Sequence, residues 1–173
     1  MNAKVADTTT RPRDEASTES AALDAWHAQA RAYLDRLTAL AARMQAEDAD
    51  PALRTDAGAI EAFFSDTSRR HRAAVERDLF PSLLASGEPG RIDAVRRLQQ
   101  DQGWIDENWI ELAPKLRAIA EGNDWLDPAE FAHGVEVYHE LCCGNIALEE
   151  SLIQLGSTAS QVGVGAGPGR AAA

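Results

Sequence analysis

The chain is short of the features that mark secreted, membrane-spanning and nucleic-acid-binding proteins. Only two of its 173 residues are cysteine, and Cys142 and Cys143 are adjacent. They cannot staple distant segments, which fits a reducing, cytoplasmic compartment. No apolar run approaches the ~20 residues needed to cross a bilayer, and the polar start from Met1 to Ser20 carries no hydrophobic signal-type stretch. Basic residues are too few: 17 Lys+Arg stand against 28 Asp+Glu, a net charge of −11. Such a surface repels phosphate backbones and anionic lipid, so neither nucleic acid nor a membrane surface is an expected partner. Alternating β-branched runs are missing, which excludes a sheet. No Gly-rich phosphate loop lies in a strand–helix context, because Gly163 to Gly169 belongs to a low-complexity stretch. The four histidines offer no Ser–His–Asp set, and the chain is read as a non-enzyme.

What is present is helix-forming sequence. Residues 1–19 are rich in Thr, Asp, Arg and Ser and read as a disordered N-terminal tail. Residues 156–173 read as a flexible Gly/Ala-rich C-terminal tail. Between them, residues 20–155 are dominated by Ala, Leu, Arg and Glu and divide into four helical segments. The first runs from Ser20 to about Ala46 and the second from about Thr55 to Asp78, ahead of Phe80-Pro81. The third runs from Arg91 to about Ala120, with a kink expected at Pro114. The fourth opens at Asp127-Pro128 and is expected to stop at Gly156. Short connections between long helices predict an all-α fold, an up-down-up-down antiparallel four-helix bundle.

Advancing ~100° per residue along each helix picks out its apolar stripe. The first reads Leu23, His27, Ala30, Leu34, Leu37, Ala41, Met44, and the second Ala57, Ile60, Phe64, Thr67, His71, Val75, Leu79. The third reads Val95, Leu98, Gln102, Ile105, Trp109, Leu112, Leu116, and the fourth Phe131, Val135, Tyr138, Cys142, Asn145, Glu149, Leu152. Every stripe is interrupted by a hydrogen-bonding or metal-capable group. Burying such a group without a partner costs on the order of 1–3 kcal/mol, and an unpaired carboxylate costs more. His27 is early in its helix, His71 late, Gln102 early to middle, and Asn145 and Glu149 late. In an antiparallel bundle that alternation brings all five toward one level of the core.

Several runs carry a resemblance to a known family. They are Asp24-Ala-Trp-His27 leading to Leu34-Asp35-Arg36-Leu37, His71 followed by Glu76-Arg-Asp-Leu79-Phe80-Pro81, Leu98-Gln-Gln-Asp101-Gln102-Gly-Trp104, and Tyr138 followed by Asn145-Ile-Ala-Leu-Glu149-Glu150. In these the chain is similar to the hemerythrin-like (HHE cation-binding) family over most of Ser20 to Leu155. The resemblance implies a four-helix bundle around a non-heme di-iron centre held by histidines and carboxylates, used to bind or sense dioxygen or related small molecules or to handle iron.

The chain departs from that pattern where the metal would be held. His27 and His71 match ligand histidines, Glu149 points inward and Asp106 obliquely, so these four are the residual metal candidates. Gln102 and Asn145 stand where the family carries histidine, and Val75 where it carries an inward acid. Neutral amides are weak ligands for iron. The expectation is therefore a degenerate, non-catalytic binding or sensing module with no cofactor, its former site turned into a hydrogen-bonded network through Gln102 and Asn145. The alternative is a partial, mononuclear site that keeps an iron- or oxygen-related role. A small molecule or a metal is the possible ligand. A protein partner or a second copy of the chain stays open.

Other constellations are read as structural. Glu130-x-x-His133 and Glu136-x-x-His139 have ferritin-like spacing, but both histidines fall off the stripe and are expected to face solvent. Cys142 is expected to be a buried thiol, and Cys143 an outward thiol with a possible redox role. Trp26, Trp104, Trp109 and Trp125 are expected to be packing anchors.

Overall fold

The computed structural model describes residues 12–46, 51–123 and 126–162. Of the tails expected at residues 1–19 and 156–173, residues 1–11 and 163–173 lie outside the described residues, as does the expected anchor Trp125, whereas residues 12–19 and 156–162 are helical. Every regular element described is helical: α1 (Pro12–Gln45), α2 (Ala52–Ala62), a π-helical turn (Phe63–Thr67), α3 (Ser68–Asp78), α4 (Phe80–Ala85), α5 (Pro89–Glu121) and α6 (Pro128–Val162). No strand occurs among the described residues. The all-α class therefore follows directly from a sequence with no strand pattern.

The helix boundaries differ from the expected ones in instructive ways. α1 begins at Pro12, not Ser20; proline is pre-set for the first helical position. α6 runs through Gly156 to Val162, because one glycine costs a helix only about 1 kcal/mol and no proline follows to stop it nearby. α5 continues through Pro114 and closes at Gly122, which takes a left-handed φ of 79°. α6 opens as expected, with Asp127 Oδ1 accepting from the backbone N–H of Ala129 at 2.8 Å.

The second expected helix is continuous in path but carries an extra residue. The Ser68 N–H donates to the Phe63 carbonyl, a five-residue step. That turn lets the neighbours Phe63 and Phe64 both be buried, which a regular helix, with ~100° between neighbours, disfavours. Phe63 stacks on Tyr33 with ring centroids 4.0 Å apart, and Phe64 meets Trp109 and Tyr138. Beyond it, α3 is rotated relative to a uniform helix, so Ser68 and not Thr67 faces the interior cavity.

α1 packs on α2 and α6, and α5 packs on α2 and α6. None of the expected stripe positions is exposed. Ion pairs tie neighbouring helices across this packing: Arg36 to Asp56 at 2.7 Å and Arg117 to Glu61 at 3.0 Å. Trp109 donates from its indole to Ser65 Oγ at 3.2 Å. Trp104 is no packing anchor; it is 52% exposed on α5.

The buried apolar side chains fall into two clusters. The larger holds Ala30, Leu34, Phe64, Ile105, Tyr138 and Ile146 among others. The smaller holds Val75, Phe80, Leu83, Val95, Leu98 and Leu152, with Leu23 packed against it. Among the described residues, the buried polar ones are His27, Gln102 and Glu149. Each lies in sequence between members of the two clusters: His27 between Leu23 and Ala30, Gln102 between Leu98 and Ile105, and Glu149 between Ile146 and Leu152. His71 likewise lies between Phe64 and Val75.

Candidate metal centre

His27 on α1, His71 on α3 and Glu149 on α6 meet at this polar layer. One ligand atom from each lies within 4.8 Å of the other two. His71 Nε2 donates to Glu149 Oε1 at 3.0 Å. His27 Nε2 stands 3.5 Å from the other carboxylate oxygen, Oε2. The carboxylate thus presents one oxygen to each imidazole. His27 and Glu149 are 1% and 4% exposed. Burial alone would push the Glu149 carboxyl up, but the facing imidazoles outweigh it and hold the group at about 2.

Outside this trio, further contacts fix its geometry. The Nδ1 edge of His27 faces Glu150 Oε1 at 3.5 Å. Glu150 is itself gripped by Arg31 through two parallel bonds of 2.8 Å. A carboxylate behind a histidine in this way orients the ring and sets which nitrogen faces the site. His71 is fixed differently: Trp26 stacks on it with centroids 3.5 Å apart and planes 5° from parallel.

Despite these neighbours, both ring nitrogens of His27 are buried without an aligned hydrogen bond among the described residues. Trp26 Nε1, Ser68 Oγ and Asn145 Nδ2 share that condition. Natural cores rarely tolerate one such atom without a reason. Here all of them gather at one level of the fold.

A cavity of about 50 Å³ adjoins the trio, lined by His71, Glu149, Gln102, Asn145, Val75 and Asp106 among others. The positions singled out from sequence are therefore neighbours, with His27 reaching Glu149 from behind the cavity wall. They do not form the expected network: Asn145 leaves its amide nitrogen unpaired instead of linking imidazole to carboxylate. Asp106 stands apart from the trio as well. Its side chain is 55% exposed and is held by Arg72 at 2.5 Å, at the cavity's edge.

The secondary candidates sort cleanly. His133 is exposed, and Glu130 pairs with Lys115 at 2.5 Å with its side chain 69% exposed, so that motif faces water. His139 is half-buried, with Cys143 Sγ 3.8 Å from its Nδ1. Both cysteines are free. Burial pushes the Cys142 thiol up to about 12 and raises that of Cys143 as well, the opposite of what a reactive thiolate needs.

Sequence reasoning took Trp26 for a packing anchor, gave Glu150 no role at the site and passed over Arg31. A signal existed for each. Trp26 adjoins His27, Arg31 lies one turn beyond it, and Glu150 follows Glu149. No helix among the described residues is long and apolar enough to cross a membrane. Comparisons with family models, curated proteins and solved structures find no match for this chain.

Proposed function

We propose that this chain is a hemerythrin-like, antiparallel four-helix bundle that binds one divalent transition metal ion between His27, His71 and Glu149. The cluster order supports the topology. Along α1 and α5 the chain passes from the smaller apolar cluster to the larger, and along α2–α3 and α6 from the larger to the smaller. That reversal on successive long helices is the signature of an up-down bundle crossed by one polar layer.

The single observation that carries the metal is His27. His27 is 1% exposed, and each of its nitrogens stands 3.5 Å from a carboxylate oxygen, one of Glu149 and one of Glu150, without an aligned hydrogen bond. A cation seated between His27 Nε2 and Glu149 would satisfy both groups better than that loose ion pair does. Two donors about 2.0–2.2 Å from a common ion at tetrahedral or octahedral angles stand about 2.8–3.6 Å apart. The His71–Glu149 and His27–Glu149 separations are 3.0 and 3.5 Å. Two imidazoles and a carboxylate suit zinc or ferrous iron. A second ion does not fit: Val75 has no donor, Gln102 and Asn145 offer neutral amides, and Asp106 is taken by Arg72. The reading that follows is a mononuclear binding or sensing module and not a di-iron protein.

Calorimetric titration with zinc tests this. The wild type is expected to take one equivalent, His27→Leu and Glu149→Gln to lose at least tenfold in affinity, and Asn145→Leu to keep it. Equal affinity in all four proteins would overturn the assignment. Because Val75, Gln102 and Asn145 line the same cavity, the triple change Val75→Glu, Gln102→His, Asn145→His is expected to raise the iron content measured by elemental analysis from one to two per chain.

A further inference from the structure

The cavity next to Glu149 has a chemistry of its own. Three side chains that line it, Trp26, Asn145 and Ser68, each keep a buried polar atom with no hydrogen-bond partner among the described residues. The indole Nε1–H and the amide Nδ2 can only donate, and the hydroxyl can donate. Unpaired donors of this kind call for an acceptor. Arg69 and Arg72 also line the cavity; Arg72 is paired with Asp106 at its edge, so Arg69 supplies the positive charge at the wall. The buried carboxylate in the lining, Glu149, turns its two oxygens to His71 and His27. The remaining lining is largely aromatic and aliphatic, Phe64 and Trp109 among it.

Size narrows the acceptor. At about 10–15 Å³ per water-sized probe position, a volume of about 50 Å³ holds a ligand of about three to five heavy atoms. A tetrahedral oxyanion such as sulfate would place oxygens against the apolar wall as well as the donors. A carboxylate puts both oxygens at one end and leaves the other apolar.

We propose that this cavity binds a small monocarboxylate of formate or acetate size, its oxygens accepting from Trp26 and Asn145 and its carbon end against the aromatic wall. The donors are ones the metal site leaves idle, so the two proposals stand separately. Losing one hydrogen bond to a charged acceptor weakens binding about tenfold or more.

The test is a ¹H–¹⁵N correlation titration of the chelator-treated full chain with sodium formate, acetate and benzoate at constant ionic strength. The Trp26 indole signal is assigned by its loss in Trp26→Phe. Formate and acetate are expected to shift the Trp26 indole and Asn145 amide signals saturably, benzoate not at all. Asn145→Leu is expected to weaken binding about tenfold, and Trp26→Phe, read at the Asn145 amide, is expected to do the same should that variant fail to fold. Shifts that never saturate, as in a cavity filled only by water, would overturn the proposal. So would a response unchanged in the variants. Zinc added to the same samples reads the metal site independently: saturation by acetate without zinc binding would sink the metal reading alone, and the reverse would sink this one.

Discussion

The larger apolar cluster and the polar layer beside it are built on the same long helices, one turn apart, yet they follow opposite rules. In the cluster, Leu34, Ile60, Leu116 and Phe131 are fully buried and contribute only packing. In the layer, an imidazole is buried just as deeply with only loose ion-pair contacts at its nitrogens and no aligned hydrogen bond. Packing supplies stability wherever two apolar surfaces meet. A polar layer that interrupts it subtracts stability unless a ligand completes it. The fold thus rests on the two clusters that flank the layer, and the layer is free to serve binding.

The comparison breaks first if the two regions respond alike to truncation. Phe131→Ala is expected to cost about 3–5 kcal/mol in urea unfolding, the largest effect of any single change considered. Acid reads the layer instead. Glu149, held at about 2 against an ordinary 4.5, favours the folded state above pH 4.5, where it is ionised folded and unfolded alike. As pH falls below 4.5 the unfolded chain takes up the proton first, and stability on the order of 3 kcal/mol is lost by about pH 2. Unfolding from pH 5 to 2.5 is therefore expected to be steeper for the wild type than for Glu149→Gln.

Replacing the layer outright gives a smaller effect of opposite sign. With chelator present, the triple change His27→Leu, His71→Leu, Glu149→Leu is expected to stabilise by about 1–4 kcal/mol, as when apolar residues replace buried ionic groups elsewhere. A loss comparable to that of Phe131→Ala would mean the layer is structural. The smallest change acts from outside the trio. Glu150→Ala removes the carboxylate behind His27 and is expected to weaken zinc binding about 10–100-fold in a competitive chelator titration. Its unfolding midpoint should fall only modestly, by about 1 kcal/mol or less, because the bidentate Arg31–Glu150 pair is partly exposed, 42% and 32%.

How much of this was legible in the sequence differs between the same two regions. The apolar clusters follow from helical periodicity, since Leu34, Leu98, Phe131 and their stripe-mates recur at the spacing that burial demands. The meeting of His71 with Glu149 was legible for the same reason, as an interruption at a matching depth. The π-helical turn was not: adjacent Phe63 and Phe64 gave a hint, but only packing against Tyr33 and Trp109 makes an extra residue worthwhile. Nor was the fate of Asp106, because a helical wheel gives direction and not distance, and Arg72 competes for it. The contacts of Trp26 and Arg31 likewise depend on which helices become neighbours, which no single stripe contains.

Cobalt(II) titration followed by visible absorption tests the metal centre most directly, because the ligand-field bands report both stoichiometry and donor set. The proposed centre gives bands that grow to one equivalent per chain and vanish in Glu149→Gln. A break at two equivalents, or bands indifferent to Glu149, would contradict it.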